Sequence, residues 1–337
     1  MVFAAGAVAV GLVGLALGLV VFGYPASTAL AALWQGAFGS WYSFASATLV
    51  RAAPLIVIGL GLAVAFRAGV LNIGGEGQFM VGAAVATWVG GGVGSWPPLL
   101  ALFAVLIGGA IGGMLWVGIP VFLKLRFGVL EVISTLLLNF VAEALISLLV
   151  QGPLQEARRS YPQSDPIAVA ARLPVFPGTR LHLGFLIALL LGVGLWLVFT
   201  RSRWGFRLRV VGEAPQAAEV TGRINSARIV ASALICSAAL AGLAGALEVS
   251  GVTYALYQNL SPGYGFTAIA VALIARLNPL GIVVAGIGFG ALEAGAGGMQ
   301  RDAGVPAVAV YVVQAVIILV AGFSLSRARA ARPEVSA

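Results

Sequence analysis

Long apolar runs, separated by short polar or glycine-rich stretches, make up most of this chain of 337 residues. The runs fall at about 3–22, 48–66, 78–90, 98–120, 130–150, 181–200, 228–248, 264–276, 279–298 and 305–323. A helix that crosses the hydrocarbon core needs roughly 20 residues, so the pattern predicts about ten membrane spans. The fold class that we expect is therefore all-α, a polytopic transmembrane helical bundle that forms a single domain over residues 1–337.

Two of the runs, 78–90 and 264–276, are too short to cross the membrane alone, and glycine-rich sequence precedes each of them. Short, glycine-interrupted segments are typical of broken helices that line a transport pathway. We therefore expect broken or short helices near the centre of the bundle. The alternative is that the flanking glycines are helical and that both helices are longer than the apolar runs.

Glycines four residues apart recur within the apolar runs. The pairs are Gly14 and Gly18, Gly108 and Gly112, Gly109 and Gly113, and Gly286 and Gly290. Because small side chains let helix backbones approach closely inside a membrane, these pairs predict a tightly packed bundle.

The composition agrees with a membrane protein, since 61% of the residues are hydrophobic and only 9% are charged. A soluble domain carries about 25% charged residues. The net charge is +8, but no basic cluster lies on a polar domain, so we expect no nucleic-acid partner. Most Lys and Arg residues fall on one side of the ten predicted spans. That side is cytoplasmic by the positive-inside rule, which places both termini in the cytoplasm.

Two hydrophilic segments stand out among the connections. The outer one, at about 151–180, contains five prolines and is expected to be irregular. The inner one, at about 201–227, begins with four arginines that surround Trp204 and Phe206. This arrangement suits anionic headgroups, so membrane lipid is an expected partner.

Polar residues recur every four positions along the fifth run, which places neighbours on one helix face. They are Glu131, Thr135, Asn139 and Glu143. They either line a translocation path, because ionisable groups in a span usually face a cavity or a partner, or hydrogen-bond neighbouring helices. In the second case Glu131 lies at the cytoplasmic headgroup level.

The segment Asn72–Gln78 (NIGGEGQ) places three glycines among polar residues between two apolar runs. This composition suggests non-helical backbone at membrane depth, which is tolerated only where it is buried in protein or lines a cavity. The candidate path residues here are Asn72, Glu76 and Gln78. The alternative is an ordinary inner loop, and Glu248 and Glu293 near the ends of their runs are equally ambiguous.

A short helix is predicted within the inner segment, over Gly212–Gly222. Pro215 suits a first turn, Glu213 favours the positive end of the helix, and Gly222 supplies a stop. A helix of this length is marginal alone, so we expect it to dock on a second, cytoplasmic protein. The candidate docking residues are Gly212, Glu213, Pro215, Ala217, Ala218, Glu219 and Gly222.

Enzyme chemistry is not expected on this chain. Lys124, the single lysine, stands between two leucines, so the Gly-Lys-Ser/Thr end of a Walker A loop is absent. One cysteine, Cys236, and one histidine, His182, on different runs argue against a transition-metal site. No catalytic residue is assigned, and His182 is expected to cap or anchor the helix that begins beside it.

These motifs make the sequence resemble the permease subunits of bacterial ABC importers, the family that handles ribose-type sugars, branched-chain amino acids and nucleosides. Besides NIGGEGQ and the Gly212–Gly222 loop, the matching segments are Glu131–Asn139 (EVISTLLLN), Arg180–Gly184 (RLHLG), Ala241–Glu248 (AGLAGALE), Gly263–Leu273 (GYGFTAIAVAL), Pro279–Gly281 and Gly304–Pro306. The combination is most similar to nucleoside permeases that work with a basic-membrane-protein type of binding lipoprotein. One departure is Ala275–Asn278, where a histidine would be expected before Pro-Leu-Gly.

The resemblance implies a multi-pass permease in the bacterial plasma membrane and a set of partner proteins. These are a cytoplasmic ATP-binding cassette subunit, a second permease that is homologous or identical, and an extracytoplasmic substrate-binding lipoprotein. It also implies that Gly212–Gly222 is the coupling helix and that ATP and Mg bind the partner ATPase, leaving no cofactor on this chain.

The implied activity is ATP-driven import of nucleosides, or of another small polar solute. Import of simple sugars or branched-chain amino acids is the alternative within the class. From the residues alone, an ion-coupled secondary transporter with Glu143 or Glu248 as a proton relay also stays open, as does a non-transporting scaffold.

Overall fold

The computed structural model describes residues 13–21, 23–214, 218, 224–306, 308–309 and 311–312, and these residues form helices joined by loops. The helices are α1 (13–21), α2 (Ala26–Phe38), α3 (Trp41–Arg67), α4 (Gly75–Gly92), α5 (Pro98–Phe127), α6 (Glu131–Gln151), α7 (Gly184–Arg201), α8 (Arg203–Glu213), α9 (Ser226–Thr253), α10 (Tyr264–Ile274) and α11 (Pro279–Ala303). Within these ranges there is no β-strand, only two isolated bridges. The prediction of an all-α fold is confirmed.

Six helices of the described part are long and apolar enough to cross a membrane: α3, α5, α6, α7, α9 and α11. They confirm a multi-pass membrane protein but do not reproduce the count of about ten spans. The predicted runs 3–22 and 305–323 lie largely outside the described residues.

The two short runs have different outcomes. The helix predicted over 78–90 is longer than the apolar run, since α4 begins at Gly75 and ends at Gly92, and the alternative of helical flanking glycines is correct there. The run at 264–276 forms α10, whose 11 residues extend only about 16 Å. This helix is too short to cross the hydrocarbon core, as predicted.

Other boundaries also differ from the hydropathy pattern. Helix α2 was not predicted, and α3 begins at Trp41 rather than near residue 48. The first three residues of the predicted Asn72–Gln78 loop precede α4, but its last four are helical. Gly212 and Glu213 form the last turn of α8 and do not start a new helix, because the backbone leaves the helical region at Ala214.

The core of the bundle is built around α3, the most enclosed of the six long helices. In its most apolar 18-residue window 89% of the residues are buried, against 28% for α6 and 22% for α7. Helices α9 and α11 pack on α3. Because most residues of α6 and α7 are only partly buried or exposed, these helices form the periphery that faces lipid.

Glycines hold α4, α5 and α9 in direct backbone contact. A Cβ built on Gly109 would lie 2.8 Å from the carbonyl oxygen of Gly242, and one built on Gly82 would lie 2.5 Å from the same atom. Gly290 of α11 approaches α3 in the same way, since a Cβ built on it would lie 2.7 Å from the Thr48 carbonyl oxygen. These contacts confirm the close packing predicted from the pairs on α5 and α11. No described atom lies within 4 Å of a Cβ on Gly14 or Gly18.

The outer segment at 151–180 is irregular, as predicted, apart from one 3-10 turn at Val169–Ala171. It lies on the end of α9 and the loop that follows. The backbone N–H groups of Ser164, Ile167 and Leu173 donate to carbonyls of Leu256, Tyr254 and Ser250, at 2.8–2.9 Å. The segment therefore caps the end of α9.

Candidate functional site

The non-helical stretch that leads into α4 is fastened to the polar face of α6. Asn139 accepts from the Gly77 backbone N–H and donates to the Ile73 carbonyl, both at 2.9 Å. Thr135 accepts from the Ile73 N–H at 3.2 Å. Asn139 and Thr135 are both buried. Their side chains thus hydrogen-bond backbone groups that have no helical partner. Inside a membrane, such groups are costly to leave unpaired.

Glu131 completes the same contact at the N-terminal end of α6. It accepts from the Leu71 backbone N–H at 3.2 Å and from Lys124 at 2.6 Å. The single lysine of the chain is therefore paired. Glu131, Thr135 and Asn139 act as one face toward residues 71–77, which is the hydrogen-bonding interpretation of the stripe. Their place in a translocation path stays a prediction.

Asn72 and Gln78 form a buried pair across the start of α4. Asn72 Nδ2 donates to Gln78 Oε1 at 2.9 Å, and Gln78 Nε2 donates to Asn72 Oδ1 at 3.0 Å. The same Asn72 nitrogen lies 2.9 Å from Ser237 Oγ of α9. The pair therefore ties the bend before α4 to a second helix of the core.

Glu76 joins the starts of two helices. Its carboxylate Oε2 accepts from the backbone N–H of Gly265, in the first turn of α10, at 2.6 Å. A Cβ on Gly265 would contact the Glu76 backbone, so only glycine allows the two helix ends to approach this closely. A carboxylate is favourable at helix N-termini, because their unpaired N–H groups carry partial positive charge.

Glu143 does not share the buried face of α6. Its side chain is exposed in the described structure, although its charge lies near enough to Glu76 to interact with it. The four-residue repeat drifts slowly around a helix of 3.6 residues per turn. Glu143, the fourth residue of the repeat, therefore no longer faces α4.

A second group of charges lies among α3, α9, α10 and α11. Glu248 is buried, and it interacts electrostatically with Arg51 and Glu293. Tyr264, at the first residue of α10, lies in the field of all three. The sequence pointed to Glu248 and Glu293 without assigning them a partner. Arg51 was missed, although an arginine in an otherwise apolar run is a usable signal.

Comparison with known proteins decides the class. Residues 44–322 match the family described as "Branched-chain amino acid transport system / permease component". The chain belongs to this permease family. The guanosine ABC transporter permease protein NupP of Bacillus subtilis is 38% identical, over 93% of this chain and 90% of NupP. The glucose ABC transporter permease protein TsgB13 of Haloferax volcanii is 36% identical, over 80% and 74% of the two chains.

A third relative of the permease is the nucleoside ABC transporter permease protein NupB of Lactococcus lactis. It is 31% identical, over 90% of this chain and 86% of NupB. No solved structure matches the chain. As a permease component, the protein is a transport subunit and not an enzyme.

The predicted coupling residues of the permease lie partly within the described structure. Pro215, Ala217, Glu219 and Gly222 lie outside the described residues. Gly212 packs on the end of α3, where a Cβ would lie 3.0 Å from the Gly69 nitrogen. Ala218 is completely buried, whereas Glu213 and Ala214 are exposed. Glu213 and Ala214 are therefore the exposed part of the predicted docking segment within the described residues.

His182 lies just before α7 of the permease and caps it, as predicted. Its Nδ1 accepts from the Gly184 backbone N–H at 3.1 Å, and Gly251 leaves room for the ring. The imidazole is buried, and Nε2 has no hydrogen-bond partner in the described residues. Burial lowers the pKa of His182 to about 4, from an ordinary value of 6.5.

This pKa predicts an acid sensitivity that originates at His182. Between pH 6.5 and 4 the unfolded chain binds a proton that the folded chain does not, so this contribution to stability is complete above pH 6.5 and decreases as the pH falls. At pH 5 we expect a loss on the order of 2 kcal/mol. Thermal unfolding of the detergent-solubilised protein at pH 7.5 and 5.0 measures it.

The matched variant is His182→Asn, whose side-chain oxygen can still accept from the Gly184 N–H but does not titrate. Its unfolding temperature should fall less between the two pH values than that of the wild type. Equal falls in the two proteins would show that His182 is not the origin of the acid sensitivity.

Proposed function

We propose that this permease forms the translocation path of an ATP-driven nucleoside importer. The observation that carries the substrate class is the likeness to guanosine and nucleoside permeases along nearly the whole chain, at 38% and 31% identity. The likeness to a glucose permease at 36% identity supports a second candidate, import of a simple sugar. Family membership favours an ABC importer over an ion-coupled transporter or a scaffold.

The proposed partners follow from the same likeness. They are a cytoplasmic ATP-binding cassette subunit that holds ATP and Mg, a substrate-binding lipoprotein outside the membrane, and a second permease. Lactococcus lactis has two nucleoside permeases similar to this chain, NupB and NupC, which supports a paired arrangement. The proposed location is the bacterial plasma membrane, with both termini cytoplasmic and about ten spans.

We propose that the path runs beside the contact of α4 with α6 and α10. Five polar side chains hydrogen-bond the segment that enters α4, so they set its position and gate the path. They are Asn72, Gln78, Glu131, Thr135 and Asn139. Glu76 lies where the two helix starts meet, and Glu143 is the exposed member of the set. A polar, buried junction of helix ends is the arrangement by which transporters of other folds hold polar solutes near the membrane centre.

The test of this function is uptake by proteoliposomes that contain the permease with its co-purified partners. We expect ATP-dependent accumulation of labelled guanosine, which unlabelled nucleosides inhibit and glucose does not. Accumulation of labelled glucose with no nucleoside uptake would identify a sugar importer. Uptake that needs an ion gradient and no ATPase would refute the importer class.

The docking role of the 212–222 segment is tested at Ala214, which lies within the segment and is exposed. Ala214→Arg adds a large cation at the surface, so we expect loss of the co-purified ATPase and at least about a tenfold fall in uptake. Ala214→Ser is the matched control at the same position and should keep both. If the arginine variant retains its ATPase and its uptake, this surface is not the docking site.

A further inference from the structure

Arg67, the last residue of α3, connects three parts of the molecule that no motif joins. Its Nε donates to the Leu277 carbonyl, in the turn between α10 and α11, at 3.3 Å. Its guanidinium carbon lies 4.1 Å from the ring centroid of Phe199 in α7. It also interacts electrostatically with Glu213 at the end of α8. We propose that Arg67 transmits movement of the coupling segment to α10; this role rests on the proposed function.

The first step is the contact between α8 and the end of α3. The backbones of Gly212 and Gly69 touch, since a Cβ on Gly69 would lie 3.2 Å from Gly212 Cα. Glu213 attracts the Arg67 guanidinium, while Arg209 repels it. Gly212 is the first residue of the segment proposed to dock on the ATPase. A displacement of that segment therefore acts on the backbone and the charge of residues 67–69.

The second step is the contact of residues 67–76 with both ends of α10. Glu76 accepts from Gly265 in the first turn of α10, and Arg67 donates to Leu277 just beyond its last turn. One ten-residue stretch thus contacts both ends of an 11-residue helix. Because both contacts come from the same stretch, its displacement is expected to shift α10 as a unit rather than bend it.

The turn that Arg67 holds is itself strained. Arg276 and Leu277 have φ values of 50° and 58°, in the left-handed region that side chains other than glycine rarely adopt. Such a conformation persists only where surrounding contacts hold it. A hydrogen bond from Arg67 is one of these contacts, so losing it releases the end of α10.

The experiment measures transport and ATP hydrolysis separately in the reconstituted complex. In Arg67→Gln we expect solute transported per ATP hydrolysed to fall about tenfold, while hydrolysis and co-purification of the ATPase stay within about twofold of wild type. Arg67→Lys keeps the charge but loses the planar group. Its ratio of solute transported to ATP hydrolysed should lie between those of the wild type and Arg67→Gln. Arg126→Gln removes an exposed arginine at the end of α5 and is the matched control.

A second readout follows α10 directly and does not require the substrate to be known. Leu273→Cys, near the exposed end of α10, is labelled with a thiol reagent in a Cys236→Ala background, with and without ATP. ATP should change the labelling rate, and Arg67→Gln should remove that change. If α10 of the wild type responds to ATP but guanosine is not taken up, the proposed substrate is refuted and the role of Arg67 is retained.

The role of Arg67 is overturned by any of three results. The first is a response of α10 to ATP that persists in Arg67→Gln. The second is a proportional fall of transport and hydrolysis, which would mean that Arg67 only stabilises the subunit. The third is a wild-type complex that hydrolyses ATP while α10 does not respond.

Discussion

Asn139→Leu is expected to abolish uptake and to destabilise the subunit. Leucine has a similar size but leaves the Gly77 N–H and the Ile73 carbonyl without their side-chain partner. Each unsatisfied buried group costs about 1–3 kcal/mol, so the free energy of unfolding should fall by about 2–6 kcal/mol. Thermal unfolding in detergent and ATP-dependent uptake in proteoliposomes measure the two effects.

The neighbouring position supplies the control for this substitution. Phe140 is 61% exposed on the lipid-facing side of α6, and Phe140→Leu changes the same helix without touching the segment that enters α4. It should retain its uptake and nearly all of its stability. An Asn139→Leu protein as stable and active as the Phe140→Leu protein would show that the α6 contact is dispensable.

Gly242→Leu is expected to prevent the bundle from forming. A Cβ at this position would lie 2.8 Å from the Gly113 nitrogen and 3.0 Å from its Cα. These are backbone atoms of α5, which cannot move aside by a rotamer change, so the cost should exceed the roughly 1–3 kcal/mol typical of overpacked cores. Membrane insertion followed by size-exclusion chromatography in detergent should show aggregated or degraded protein.

Gly118→Leu on α5 is the matched control, because nothing in the described structure lies within 4 Å of a Cβ there. It introduces the same side chain into the same bundle, facing outward. A monodisperse, active Gly242→Leu protein would mean that α4, α5 and α9 do not need their backbone contact.

The polar face of α6 shows how far sequence reasoning could reach. The four-residue spacing placed Glu131, Thr135 and Asn139 on one face, because helical periodicity is a local property. It left open whether that face lines a path or bonds a neighbour. The partners are backbone groups of residues 71–77, about 60 positions away along the chain. No local pattern predicts such a pairing.

At the start of α4, the local sequence pattern predicted the wrong backbone conformation. Three glycines within Asn72–Gln78 suggested non-helical backbone, since glycine weakens helices by roughly 1 kcal/mol relative to alanine. In the structure the helix nevertheless begins at Gly75. Asn139 caps the Gly77 N–H, and Gly265 lies against the Glu76 backbone. Tertiary contacts therefore outweigh the intrinsic preference and use the glycines for close approach.

The sequence by itself determined the membrane class, the helical fold, the short α10 and the permease family, because hydropathy, span length and motifs are properties of contiguous residues. Only the tertiary structure decided which polar groups meet. It paired Glu131 with Lys124, joined Glu76 to α10, and placed Arg67 between the coupling segment and the α10–α11 turn. The reason is physical: inside a membrane each polar group must find a partner in the protein, and the partner is chosen by how distant helices pack.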